Sequence, residues 1–154
     1  MKKFKFRLEA LLKLRQQAED EKKRMVGQLL SEINEQQREA LEMDVQLQRE
    51  GDILKEQYLQ GNVDLDWVSH YRGFVISTQN AINQRIEKVV QIQGKMSHAR
   101  KELADAAREK KILEKLKEKK QKCYDTELQR LELLAGDELA TQLYLNNRQL
   151  GVLS

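Results

Sequence analysis

From Phe4 onward, Leu8, Leu11, Ala18, Met25 and Leu29 recur at steps of three, four or seven, with Arg15 and Lys22 filling the intervening positions. That alternation is the heptad signature of a helix with one apolar seam. A step of four from Leu29 to Ile33 acts as a stutter, after which Gln36, Ala40, Met43, Leu47, Glu50 and Leu54 resume the rhythm. The pattern predicts a helix over about 4–59. It breaks at QGNVDLDW, where Gly61-Asn62 supplies positive-φ turn chemistry and Asp64 or Asp66 can cap a new helix. Beyond the break, Tyr71, Phe74, Thr78, Ile82, Arg85, Val89, Ile92, Met96, Ala99, Leu103 and Ala106 carry the same alternation, continued by Leu113, Leu116, Tyr124, Leu128, Leu131 and Leu134. A second helix over about 67–135 follows. Gly136-Asp137 is where a kink or end is expected, with a C-terminal extension to 154.

Two amphipathic helices joined by a loop of about 60–66 must fold back on each other, because each leaves an apolar stripe that water penalises. The expected fold is all-α, a long two-helix antiparallel coiled-coil hairpin forming a single domain over 1–154. At 1.5 Å per residue the helices are roughly 80 and 100 Å long, so the second overhangs. Pairing outward from a turn near residue 63 sets position n opposite about 126 minus n and brings Phe4 near position 122. The seam is modest and partly wet: Arg15, Lys22, Gln36, Glu50, Thr78, Arg85 and Lys110 stand where a dedicated zipper places Leu or Ile.

Composition sharpens this picture. The chain has no Pro, only seven Gly, 34% charged and 5% aromatic residues, which favours uninterrupted helices over an ordinary globular core. Its 28 basic and 25 acidic residues nearly cancel, yet they are unevenly placed. Residues 1–15 hold six basic against one acidic, 108–122 eight against three, and 44–66 around the turn six acidic against two basic. The open end of the hairpin is therefore basic and the turn end acidic.

Chemistry of catalysis is not in view, and neither an enzyme nor a cofactor is expected. There is no Gly-rich phosphate loop, no HExxH and no nucleophile elbow. His70 and His98 are 28 positions apart on one helix, and the lone Cys123 reads as a buried or half-buried small hydrophobe. Arg7, Glu9, Lys13 and Arg15 interrupt the apolar run a secretory signal needs. No stretch approaches the ~20 apolar residues of a membrane span, so a cytoplasmic setting is the expectation. The basic stretches KKFKFR and EKLKEKKQK could meet phosphates, but Glu114 and Glu118 interleave with the lysines and no base-reading Asn-Arg pattern accompanies them. Surface attachment to a membrane through Phe4 and Phe6 is the other anionic option. Trp67, Val75, Ile76, Val90 and Ile112 fall off the seam and offer docking surface. The aromatics Tyr58, Trp67, Tyr71 and Phe74 either close the hairpin tip or dock a partner.

Three segments, FKFRLEALLKLR, WVSHYRGFVISTQNAINQ and ARKELADAAREKKILEKLKEKKQKCYDTELQRLELLAGDELA, in this order and spacing, resemble the FliJ family of the bacterial flagellar type III export apparatus. The resemblance implies a cytoplasmic export component, peripherally associated with the inner membrane and similar to the central stalk subunit of rotary ATPases. It implies three partners: the flagellar export ATPase hexamer, the export-gate membrane protein and export chaperones, with no nucleic acid and no direct membrane insertion. By the family's pattern the ATPase would meet Phe4, Phe6, Arg7, Leu8, Leu11 and Leu12 on the first helix, and Leu113, Glu114, Leu116 and Lys117 on the second. The gate would meet Leu47, Leu54 and Tyr58 before the loop and Phe74, Thr78, Ala81 and Arg85 after it.

Overall fold

The computed structural model describes residues 2–152; Met1, Leu153 and Ser154 lie outside the described residues, and with them the last two positions of the expected extension. Two helices, α1 (Glu9–Leu59) and α2 (Leu65–Val152), pack against each other, and no strand occurs among the described residues. The all-α helical hairpin read from the heptads is the observed fold.

The helix ends differ from the pattern for local reasons. Helix α1 starts at Glu9 rather than near residue 4. No Ser, Thr, Asp or Asn among residues 2–8 supplies a cap. The chain instead closes a tight turn, with Glu9 N–H donating to the Phe6 carbonyl at 3.2 Å, before Leu12 N–H finds the Leu8 carbonyl at 2.8 Å. At its other end α1 closes with Gly61 at φ 78°, where Gly61 N–H donates to the Tyr58 carbonyl and Asn62 N–H to the Gln57 carbonyl, each at 3.2 Å. This paired pattern is the Schellman stop, and it needs a residue tolerant of left-handed backbone. Asp64 then caps α2: its Oδ1 accepts from Asp66 N–H at 3.1 Å and its carbonyl from Val68 N–H at 3.0 Å. Helix α2 runs through Gly136-Asp137 without ending. A single glycine costs a helix only about 1 kcal/mol against alanine, and Leu133, Leu134, Ala135, Leu139 and Ala140 are strong helix formers.

The chain divides into two compact units, one of Ala18–Ala106 and the other of Met1–Gln17 with Ala107–Ser154. In the first, Ile33 of α1 closes with Val89 and Met96 of α2, flanked by Leu29 and Ile92. Along α1 the sheltered positions from Arg15 to Leu54 follow the expected seam, with Val26 rather than Met25 turned inward and with Glu19, Glu39 and Gly51 sheltered beside it. Two steps of four, from Ala18 to Lys22 to Val26, absorb the drift between 3.6 and 3.5 residues per turn, about two turns earlier than the Leu29 to Ile33 step predicts. In the second unit Leu113 is buried, with Leu12 and Leu116 half-buried. Only Ile33, Val89, Met96, Ala99 and Leu113 are buried apolar residues among those described. Two helices have too much surface for their volume to shelter more.

Cross-helix ion pairs occupy the polar seam positions and record the register within each unit. Lys117 Nζ stands 2.8 Å from Glu9 Oε2, the position opposite 9 under the 126 minus n rule. Arg15 Nη1 lies 2.6 Å from Glu109 Oε2, and Lys22 Nζ 2.7 Å from Glu102 Oε2, each two residues from that expectation. Arg85 Nη1 donates to Gln36 Oε1 at 3.0 Å and pairs with Glu39.

Candidate functional site

The residues expected to meet an ATPase fall within one unit, on residues 4–12 of the chain's start and 113–117 of α2. Phe4 is half-buried because its ring lies 5.6 Å, centroid to centroid, from Tyr124 at an interplanar angle of 53°. The Tyr124 hydroxyl donates to the Lys2 carbonyl at 2.9 Å, so one side chain of α2 holds both the ring and the backbone of the irregular start. Phe6 is half-buried and Arg7 exposed. Leu8 and Leu11, assigned to the seam by spacing, sit at its exposed edge, while Leu12 is sheltered. Leu113 is buried and Leu116 half-buried; Glu114 pairs with Lys110 at 3.5 Å and Lys117 with Glu9.

Among the residues expected to meet an ATPase, the apolar surface available to a partner is thus Leu8, Leu11 and the accessible part of Phe6. Leu113 and Leu116 serve the helix packing. Tyr124 is the residue this reading missed as part of the site. Its signal was present, since it continues the α2 seam two positions from the expected partner of Phe4.

The residues expected to meet a gate lie in the other unit. Leu47, Leu54, Phe74, Thr78, Ala81 and Arg85 are half-buried along the seam, whereas Tyr58 is 70% exposed. Arg85 already has Gln36 and Glu39 as partners inside the chain, which limits what its guanidinium can offer elsewhere. Of the aromatics near the turn, Trp67 and Tyr71 stack at 5.9 Å and 10°, so that pair packs on itself. Ile76, Val90 and Ile112, off the seam by spacing, are exposed; Trp67 and Val75 are half-buried.

The electrostatic centre of the seam is a triad. Glu102 accepts from Lys22 and lies 3.0 Å from His98 Nε2. The hydrogen bond and charge of Lys22 hold the Glu102 carboxyl below its usual range, and the same contact holds the Lys22 ammonium above its own. His70, the other imidazole, has Nδ1 3.0 Å from the Asp66 carbonyl one turn back. Cys123 is exposed, not buried or half-buried as expected, because the seam passes through Tyr124 instead.

A sequence profile for the flagellar FliJ protein matches residues 4–149. The chain belongs to the FliJ family. The match spans both helices and the loop between them, and extends past Ala140, where the last of the three resembling segments ends. No curated protein and no solved structure matches the chain. Membership makes it a flagellar protein related to export, and with it to motility. No helix among the described residues is long and apolar enough to cross a membrane.

Proposed function

We propose that this FliJ-family chain is a non-catalytic export factor that binds the hexameric flagellar export ATPase through its basic end, promotes ring assembly and hydrolysis, and links the ring to the export gate. It also escorts export chaperones, and it works in the cytoplasm against the inner membrane. The observation that carries the reading is the basic end itself. Tyr124 gathers the irregular start against α2, leaving Leu8 and Leu11 accessible among Lys3, Lys5 and Arg7, a combination suited to lining a ring interior. The gate reading rests on the seam around Leu47, Leu54, Phe74, Thr78, Ala81 and Arg85, with Tyr58 as its accessible member.

The test is retention on the flagellar ATPase and stimulation of its hydrolysis. Replacing Phe4 and Leu8 together with Asp is expected to abolish stimulation while helical ellipticity stays nearly intact, since both lie before Glu9 where α1 begins. Undiminished stimulation by that variant removes both residues from the ATPase surface. No retention of the unaltered chain by the ATPase overturns the reading as a whole.

A further inference from the structure

Charge is unevenly shared between the two sides of the helix pair in the unit Ala18–Ala106. On α1, Leu30, Asn34, Gln37, Leu41, Val45 and Gln48 follow one another at spacings of three and four, which places them on one helix face. On α2, Gln79, Asn83, Ile86, Val90, Gln93 and Ser97 do the same. All twelve are exposed and none is charged, whereas the chain's 34% of charged residues would put about four charges among twelve positions. Arg38 and Asp44 on α1 and Glu87 on α2 border these stripes. All twelve but Val45 directly follow a seam position, as Asn34 follows Ile33 and Ser97 follows Met96. In an antiparallel pair such positions share one side of the two helices. An open groove on that side has Leu30, Asn34 and Gln37 on one wall, Gln93 and Ser97 on the other, and Ile33 and Met96 between them. Residues that directly precede the seam, among them Glu32, Lys88, Lys95 and Glu102, carry charge on the other side.

From this segregation we infer that the uncharged side docks a second copy of this chain, two hairpins stacking through it as a four-helix bundle. Self-complementarity selects that partner. A two-fold pairing sets a surface against itself, which a face of one charge opposes and an uncharged face does not. Amide side chains both donate and accept, so Asn and Gln set against their own kind find matching groups. Leu30, Leu41, Ile86 and Val90 leave water in the same step. Arg100 and Lys101 line only one end of the groove, and hairpins running in the same direction would stack those cations on their copies. Opposite directions keep them apart. Two helices about 30 Å long and ~10 Å wide present roughly 600 Å² in projection, somewhat below the ~800 Å² a side of a standard interface, so the dimer is of micromolar strength. None of the twelve residues is among those expected to meet the ATPase or the gate, and the surface requires neither.

The experiment is sedimentation equilibrium of the full chain from about 5 to 200 µM, at about 0.1 M and 0.5 M salt. The weight-average mass is expected to rise from the 18.1 kDa of one chain toward twice that value, and equally at both salts, because no charge pairing drives it. Leu41 and Val90 are 63% and 61% exposed, so a charge at either leaves the seam intact. Leu41→Glu with Val90→Glu should hold the mass at that of one chain throughout. Ile86→Gln with Val90→Gln, which adds no charge, should weaken association at least about tenfold and decides the matter if the first pair loses ellipticity. The control Ile112→Glu with Leu133→Glu, at exposed positions of the other unit, should associate as the unaltered chain does. A single-chain mass at every concentration, association that the control pair abolishes or that the variants of the uncharged face spare, or association lost at high salt each overturns the inference.

Discussion

Single residues decide how much of this chain's charge is visible from outside. Lys22 was legible only as a polar interruption of an apolar stripe and Glu102 not at all, and the structure joins them across the seam at 2.7 Å. Their mutual contact gives a stability contribution with two edges. Glu102, its pKa depressed, contributes above its unfolded value and loses the contribution as pH falls through the folded one. Lys22, its pKa raised, contributes below its unfolded value and loses the contribution as pH rises through the folded one. The gap in melting temperature between the native chain and Lys22→Gln is therefore expected to be widest between roughly pH 5 and pH 10 and to close on either side. Thermal unfolding across that range checks it, and a gap independent of pH rules the pair out as its source. Cys123 and Tyr124 teach the complementary lesson. The heptad spacing runs through Tyr124, whose ring takes the sheltered place against Phe4, and Cys123 one position away stays exposed.

At the scale of the helix, the governing features are spacing, caps and glycines. The turn was legible because Gly61 and Asp64 each perform a role that few residue types can, a left-handed stop and an N-terminal cap. The two helix limits that differ from expectation lack such markers: the start has no capping residue, and Gly136 has nothing beyond it to enforce a stop. Glycines inside the helices separate into two kinds. A Cβ on Gly27 would meet nothing within 4 Å, whereas one on Gly51 would come 2.9 Å from the Tyr71 hydroxyl. Gly27→Ala is thus expected to stabilise the chain by about 0.5–1 kcal/mol through lower unfolded-state entropy. Gly51→Ala should gain less, because the Tyr71 ring, stacked on Trp67, must give way. Denaturant midpoints of the two variants compare them directly, and equal gains would mean that the close approach is inconsequential. The ion pairs matter to the helices as register marks more than as energy, since pairs this exposed contribute little. Sliding α2 by one heptad would set Lys22 opposite Lys95 in one direction and Arg15 opposite Leu116 in the other.

For the molecule as a whole, membership of the FliJ family and the two-helix fold agree with a chain whose few buried residues are divided between two units. Every described residue from Gln129 to Val152 is exposed, including Leu133, Leu139, Leu143, Tyr144 and Leu150, although all of them are helical. This segment adds helix without adding shelter. A chain ending at Leu128 is accordingly expected to melt at the temperature of the full chain while showing less ellipticity. Calorimetry beside circular dichroism makes the measurement, and a drop of more than a few degrees in the truncated chain would show that the segment supports the fold after all.

The sequence by itself determined the two helices, their antiparallel pairing, the loop chemistry and the register to within two residues. It did so because apolar spacing at three and four encodes a helix face, and a short loop leaves neighbouring helices only one way to pair. The family, too, was legible from segment order. Tertiary structure alone decided that Val26 rather than Met25 turned inward, that Cys123 beside the seam stayed exposed, and that Phe4 leaves the helical path for Tyr124. It also decided which charges neutralise one another across the seam. Those choices depend on what stands on the facing helix within a few ångströms, and one-dimensional spacing does not carry that distance.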